Sequence, residues 1–308
     1  MSVASPARAQ DTSLPDVVAP QRHALRWVTA ALVLALAFVV GRSLYANQNI
    51  DHSAVKEFLF SGAILSGLRT TLILGVAAQA LGLLLGVLIA LCRLSHNPVL
   101  AAIGWIYVWL FRGTPLLVQI LLWGNLSLFY NRIELGIPFT GFTFVSWDTN
   151  TVVTAFLASL LALGLHEAAY SAEVIRSGIQ SIDAGQTEAA RALGMSRSLT
   201  MRKIVLPQAM RVIIPPTGNN FINLLKATSL VAVIAGGDLL TQAQNVSAAN
   251  LKTIELLVVA TIWYLLVTSV ASVGQAWVER RFGRGRRRTN QSAASLGAVL
   301  SRLIRRPA

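Results

Sequence analysis

Six apolar stretches, at about residues 27–45, 63–91, 99–129, 151–175, 213–235 and 254–278, leave this chain few structures to adopt. A helix needs ~20 mostly apolar residues to cross the hydrocarbon of a bilayer. In hydrocarbon every backbone N–H and C=O has to be satisfied within the protein, so uninterrupted runs of this length become helices. The balance of residues agrees: 54% are hydrophobic and only 13% charged, where soluble domains carry about a quarter charged. The expected fold is an all-α polytopic membrane protein with about six transmembrane helices. A single cysteine, Cys92, excludes an intrachain disulfide and a cysteine-based metal cluster. The four histidines form no H-E-x-x-H, so membrane metalloprotease chemistry has no support and no metal site is expected.

The net charge of +13 is informative only segment by segment. With the N-terminus inside, the cytoplasmic segments hold Arg8, Arg22, Arg26, Arg93, Arg176, Arg191, Arg197, Arg202, Lys203 and Arg211, and nine arginines after residue 279, nineteen in all. The outer loops hold Lys56, Arg132 and Lys252. This asymmetry places both termini and the 177–212 loop in the cytoplasm. The first run, Trp27 to Val40, also has the form of a signal-peptide h-region. Its 26-residue polar lead and the poor cleavage sequence from Ser43 to Ala46 favour a retained anchor. The tail holds a basic cluster, Arg280 to Arg288, suited to anionic headgroups. Beyond it Leu296, Val299, Leu300, Leu303 and Ile304 recur at helical spacing, as an interfacial helix or a disordered tail.

Polar residues at membrane depth mark candidate sites. Arg112, Gly113, Thr114 and Pro115 interrupt the third run, which is either a kinked span or an interfacial half-helix followed by a short span. Such a break beside an arginine suggests a pathway or an interface, and Thr114 and Gln119 are grouped with it. In the fourth run Glu167, Tyr170, Ser171 and Val174 share one face, with Lys226 or a substrate ammonium as candidate partner for Glu167. Glu173 is expected to pair with Arg176. In the fifth run Asn219, Asn223 and Lys226 form one stripe, serving as glue between helices or as the lining for a polar solute.

The 177–212 loop carries the sharpest signal. Residues 188–207 run Glu188, Ala189, Ala190, three residues, Gly194, nine residues, Ile204, one residue, Leu206 and Pro207. Two alanines let a helix sit close in a cleft, Glu188 is expected in the first turn, and Gly194 permits a left-handed helix end. Pro207 is expected to stop the next segment from continuing back as one helix. This pattern resembles the coupling loop of ABC importer permeases, which docks onto an ATPase. The likeness extends through Gly67 to Leu72, Arg93 to Ser95, Phe111 to Gln119 (FRGTPLLVQ), Ala169 to Arg176, Gly185 and Gln186, Leu206 to Gln208, and Lys226 to Leu230. These segments are similar to the polar amino acid branch of that family, the histidine, glutamate, glutamine, arginine and opine group.

The resemblance implies a type I importer: a five-helix core with one added N-terminal helix, two permease subunits of the same or sister kind, two ATPase subunits and an external binding protein. It divides the chain into a cytoplasmic segment 1–26, an added span 27–45, a permease core 60–282 and a basic tail 283–308. It places the chain in the bacterial inner membrane, with alternating access driven by ATP bound on the partner, no cofactor of its own and no nucleic-acid partner. The sequence has no G-x-x-x-x-G-K-[ST] phosphate loop, so ATP hydrolysis is expected elsewhere and the chain is not expected to be an enzyme. The competing readings are a secondary amino acid transporter, which would show inverted repeats and no E-A-A loop, and an importer of an opine or another small polar solute. Residues 129–150, rich in Phe and Gly with Trp147, are expected as an outward loop that either meets the binding protein or anchors at the interface.

Overall fold

The computed structural model describes residues 24–47, 50–137 and 142–282. The terminal segment 1–23 and the basic tail from 283, with its expected amphipathic helix, lie outside the described residues. The chain divides into two compact units, residues 1–50 and 51–308. The first unit holds α1 (Ala24–Tyr45), the expected added helix, apolar from Trp27 to Ser43.

The second unit is helical apart from one hairpin. Its elements are α2 (His52–Leu59), α3 (Gly62–Arg93), α4 (Pro98–Gly113), α5 (Leu116–Gly124), β1 (Arg132–Ile137), β2 (Phe142–Asp148), α6 (Thr149–Val152), α7 (Ala155–Gln180), α8 (Ala184–Ala192), α9 (Arg197–Thr200), α10 (Leu206–Ala227), α11 (Leu239–Asn250) and α12 (Thr253–Phe282). Three helices, α3, α7 and α12, are each long and apolar enough to cross a membrane. The third expected run is broken: α4 and α5 meet at 98°. The fifth continues through α10 and a 3-10 segment, Thr228–Ile234, before bending by 44° into α11. Residues 239–250, expected within an outward loop, are therefore helical and pack against α3 and α12.

Helices approach closely where small residues remove side chains from the contact. A Cβ on Gly82 of α3 would lie 2.6 Å from Glu167 Cγ of α7, and one on Gly86 would lie 2.7 Å from Ser171 Cβ. From the other side, a Cβ on Gly164 would meet Leu81 at 2.6 Å. α3 and α7 thus interlock through glycines, and Leu74, Ala78, Ile120, Ala162, Leu163, Leu224 and Val231 form the adjoining core.

The break before α11 is closed by side chains. Ala235 and Gly237 adopt left-handed φ values of 53° and 77°. Asp238, fully buried, then caps α11 by accepting from the Leu240 N–H at 3.0 Å and the Thr241 N–H at 3.3 Å. Tyr264 of α12 donates to the same carboxylate at 3.3 Å, and Thr71 of α3 accepts from the Leu239 N–H at 3.0 Å. At the same end of the unit Asp51 caps α2 and receives the Lys252 ammonium at 2.6 Å, while its own N–H donates to Glu255 at 3.0 Å. The ammonium, followed by the Ser53 and Ala54 donors, holds the Asp51 carboxyl well below the usual carboxylate range. Its contribution is therefore present above the ordinary carboxylate value and is lost only as pH falls through the lowered one.

The interlock makes a steric prediction. Gly82→Val should destabilise the purified protein by about 1–3 kcal/mol through overpacking against Glu167, read as a lower thermal midpoint in detergent. Gly62→Ala, where a Cβ would meet nothing within 4 Å, should leave that midpoint unchanged.

Candidate functional site

The E-A-A segment folds as a short helix presented at the surface. Asp183 caps α8 by accepting from the Gly185 N–H at 2.7 Å. The carboxylate favoured by the helix dipole is thus Asp183, while Glu188, expected in the first turn, is the fifth residue of α8. The helix ends as expected: Gly194 has φ 74°, its N–H donates to Arg191 at 2.9 Å, and the Met195 N–H reaches back to Ala190 at 3.0 Å. The motif residues divide between two roles. Ala190 is buried, as are the neighbours Val205 and Thr200 that pack beneath the loop, and Ile204 is half-buried. Glu188, Ala189, Gly194, Leu206 and Pro207 face outward. Leu193, not marked from the sequence, is 82% exposed at the tip; an apolar residue flanking the helix-ending glycine in a polar loop was the available signal.

Pro207 does not stop the helix. The chain runs as one helical body from Arg197 to Ile234. Directly before the proline, Met201–Val205 forms a π turn in which the Leu206 N–H bonds to Met201. Proline lacks the N–H that an α-helix would use here and its ring crowds the preceding turn, so widening by one residue accommodates it.

The α4–α5 break is pinned by Gln119, which is buried. Its Nε2 lies 2.9 Å from the Phe111 carbonyl oxygen, 3.1 Å from that of Thr114 and 2.7 Å from Thr114 Oγ1. Beside these residues is an apolar hollow of about 320 Å³ lined by Leu110, Val118, Leu122 and Trp123 among others. Arg112 projects from the break over the Tyr170 ring, 5.0 Å from its centroid, and the His166 ring packs against the same ring at 5.0 Å, tilted by 40°.

Glu167 and Ser171 turn away from Tyr170 into the bundle. Glu167 is 4% exposed, accepts from Ser171 at 2.8 Å and from Gln79 of α3 at 3.5 Å, and has the Asn220 amide of α10 alongside. Among the described residues Gln79 Oε1 and Asn220 Nδ2 have no hydrogen-bond partner. Gln79, a lone amide in the apolar run of α3, and Asn220, next to the expected stripe, were not singled out from sequence. Lys226 does not join Glu167: with Asn219 and Asn223 it is exposed on another face of α10. The stripe and the buried carboxylate are therefore two separate polar surfaces. Nearer α8, Glu173 pairs with Arg176 as expected, and also with Arg93 of α3 at 3.2 Å.

Residues 82–284 match the family described as binding-protein-dependent transport system inner membrane component. The chain belongs to that family. Among relatives of this permease family, the arginine transport system permease protein of Corynebacterium glutamicum is 41% identical over 277 residues, 89% of this chain and 85% of that one. The nopaline transport system permease protein of Agrobacterium fabrum is 36% identical, covering 68% of this chain and 83% of its own. A crystal structure of an amino acid ABC transporter with histidines superposes with a TM-score of 0.61 at 36% identity, over 71% of this chain and 94% of that one. The fold is thus that of an ABC importer permease, and the two bent helix pairs are features of a membrane-spanning body.

The pinned break has a measurable counterpart. Gln119→Leu removes a donor shared by two half-buried carbonyls and the Thr114 hydroxyl and should lower stability by about 1–3 kcal/mol, whereas Thr114→Val removes that hydroxyl's bonds to Gln119 and to the Leu110 carbonyl and should cost about 1 kcal/mol. Thermal midpoints of the detergent-solubilised variants check the order; equal midpoints for wild type and Gln119→Leu would contradict it.

Proposed function

We propose that this chain is the permease subunit of an ATP-driven importer that receives an amino acid or a close derivative from an external binding protein. The observation that carries the reading is the rigid E-A-A helix, its inward residues seated on the π segment and its outward residues exposed, on a chain that is otherwise apolar. A docking element that yielded would transmit no displacement. ATP is bound by separate ATPase subunits that receive Glu188, Ala189 and Leu193. The chain makes and breaks no bond and needs no cofactor; partners bias it between two conformations. A second permease subunit, of the same or a sister kind, covers the exposed stripe of Asn219, Asn223 and Lys226, which is costly to leave against lipid. The E-A-A loop and both termini are cytoplasmic, in keeping with nineteen basic residues on that side against three on the other.

The substrate class is supported by chemistry as well as by the names of the relatives. A zwitterion needs an anion near its ammonium and donors near its carboxylate where water is scarce. Glu167 with Gln79, Ser171 and Asn220 offers an anion on the inward side of α7, and Arg112, over the Tyr170 ring, offers a cation at a separate point of the path. Thr114 and Gln119 act on this path indirectly, by holding the break that places Arg112.

Two experiments test the reading. Gly194→Trp, at a position needing φ 74° on the exposed rim, should remove the ATPase from the purified complex without reducing membrane insertion. Retention of the ATPase at wild-type yield would sink the docking role. Uptake of a labelled panel of amino acids, sugars and peptides by the reconstituted complex should select amino acids, and Glu167→Gln should depress uptake more than complex yield. Accumulation of a sugar alone would overturn the substrate class.

A further inference from the structure

The β1–β2 hairpin plays no part in the transport reading, yet its two faces differ sharply. On one face Arg132 donates to Ser146 Oγ at 2.7 Å, and Ser146 and Thr143 donate to the two Glu134 oxygens at 3.3 and 3.4 Å. On the other, the register sets Ile133 opposite Trp147, Leu135 opposite Val145 and Ile137 opposite Phe142. Every position of this second face is apolar, and Leu135, Val145 and Trp147 are 58%, 43% and 43% exposed. A bulge after Leu135 inserts Phe144, whose ring meets Phe142 edge-on at 5.1 Å. Gly136 is required there, because a Cβ would run into the Phe142 carbonyl oxygen.

The hairpin is fixed at its base. The Thr149 N–H donates to Asn131 at 3.1 Å and its hydroxyl to Tyr130. That base continues directly from exposed Leu128, Phe129 and Tyr130 at the end of the α5 segment, and leads into α7. Since α7 has 26 residues, ~39 Å of helix separates the hairpin from the E-A-A loop. The hairpin therefore sits at the opposite end of the bundle, where the spanning segments leave the hydrocarbon.

We propose that this hairpin lies in the lipid interface of the leaflet away from the E-A-A loop, its apolar face toward the acyl chains and its Glu134–Ser146 face toward water. The proposal rests on the membrane-permease reading. Aromatic residues concentrate at the headgroup level, and an amphipathic element lies flat there when one face is apolar and the other is satisfied by polar contacts. The charges favour lipid over a protein partner: Arg132 is engaged within the hairpin, and Arg132, Glu134 and Asp148 sum to a single negative charge, too little to steer a charged protein surface. The apolar face is also continuous with side chains at the membrane exit, as an interfacial anchor requires.

The test uses the full chain with Cys92→Ala as background, reconstituted in phosphatidylethanolamine–phosphatidylglycerol vesicles. Single cysteines at Leu135→Cys, Val145→Cys, Glu134→Cys and Ser146→Cys carry an environment-sensitive fluorophore, and spin-labelled lipids serve as quenchers. Quenching several-fold stronger at 135 and 145 than at 134 and 146, unchanged by added binding protein, is expected. Equal or absent quenching at all four sites would overturn the proposal. So would apolar-face probes that respond to the binding protein, or to protein density, but not to lipid. A fifth probe at Leu84→Cys, exposed within α3, separates the two readings, since quenching there reports membrane insertion whatever the hairpin does.

Discussion

Unsatisfied backbone in hydrocarbon is the constraint from which the rest of this structure follows. It makes helices of the apolar runs, and it also fixes how those helices can be interrupted. At the two bends in the spanning helices a named group closes the backbone. Gln119 reaches the carbonyls at the α4–α5 break. Asp238, Thr71 and Tyr264 close the turn before α11. Within α10, Gln275 of α12 donates to the Pro215 carbonyl at 2.8 Å, a contact between the two helices. The breaks are therefore built joints rather than frayed ends, and each ties two or three helices together.

The same economy governs the polar interior. Glycines on α3 bring its backbone against α7, and the space so vacated is taken by the stems of Glu167 and Ser171. The carboxylate at membrane depth depends on this absence of side chains opposite it. A stripe of small residues and a buried polar cluster, often treated as separate features of membrane helices, are here two sides of one contact.

Much of this was legible from the amino acids. Run length and composition located the helical runs, because the backbone constraint demands helix without deciding where it bends. Three are single helices long enough to cross a membrane and two are bent pairs. The Gly194 cap was legible for a local reason: a left-handed residue after a helix is decided by glycine alone. Pro207 was misread because the cost of a proline is removable by a π turn, which only the geometry of the following helix reveals. Glu188 was placed in the wrong turn because the true cap, Asp183, begins the helix earlier. The separation of Glu167 from Lys226 was hidden too, since helical periodicity orders residues around one axis without saying which neighbour each face meets. Asn220, one position along from Asn219, shows how narrow that margin is. The hairpin was expected only as an outward loop, because its phenylalanines and glycine carry the strand pattern across a bulge that interrupts simple alternation.

The continuous helix from Arg197 to Ile234 has a mechanical corollary. Its two ends adjoin left-handed positions, Gly194 at one and Ala235 with Gly237 at the other. Between them lies one helical body with no loop, carrying the polar stripe of residues 219–226 toward its far end. Such a rod works as a lever with a swivel at each end. Tilting the end near the E-A-A loop would carry the far end, and the stripe with it, because no loop interrupts the helical body between them.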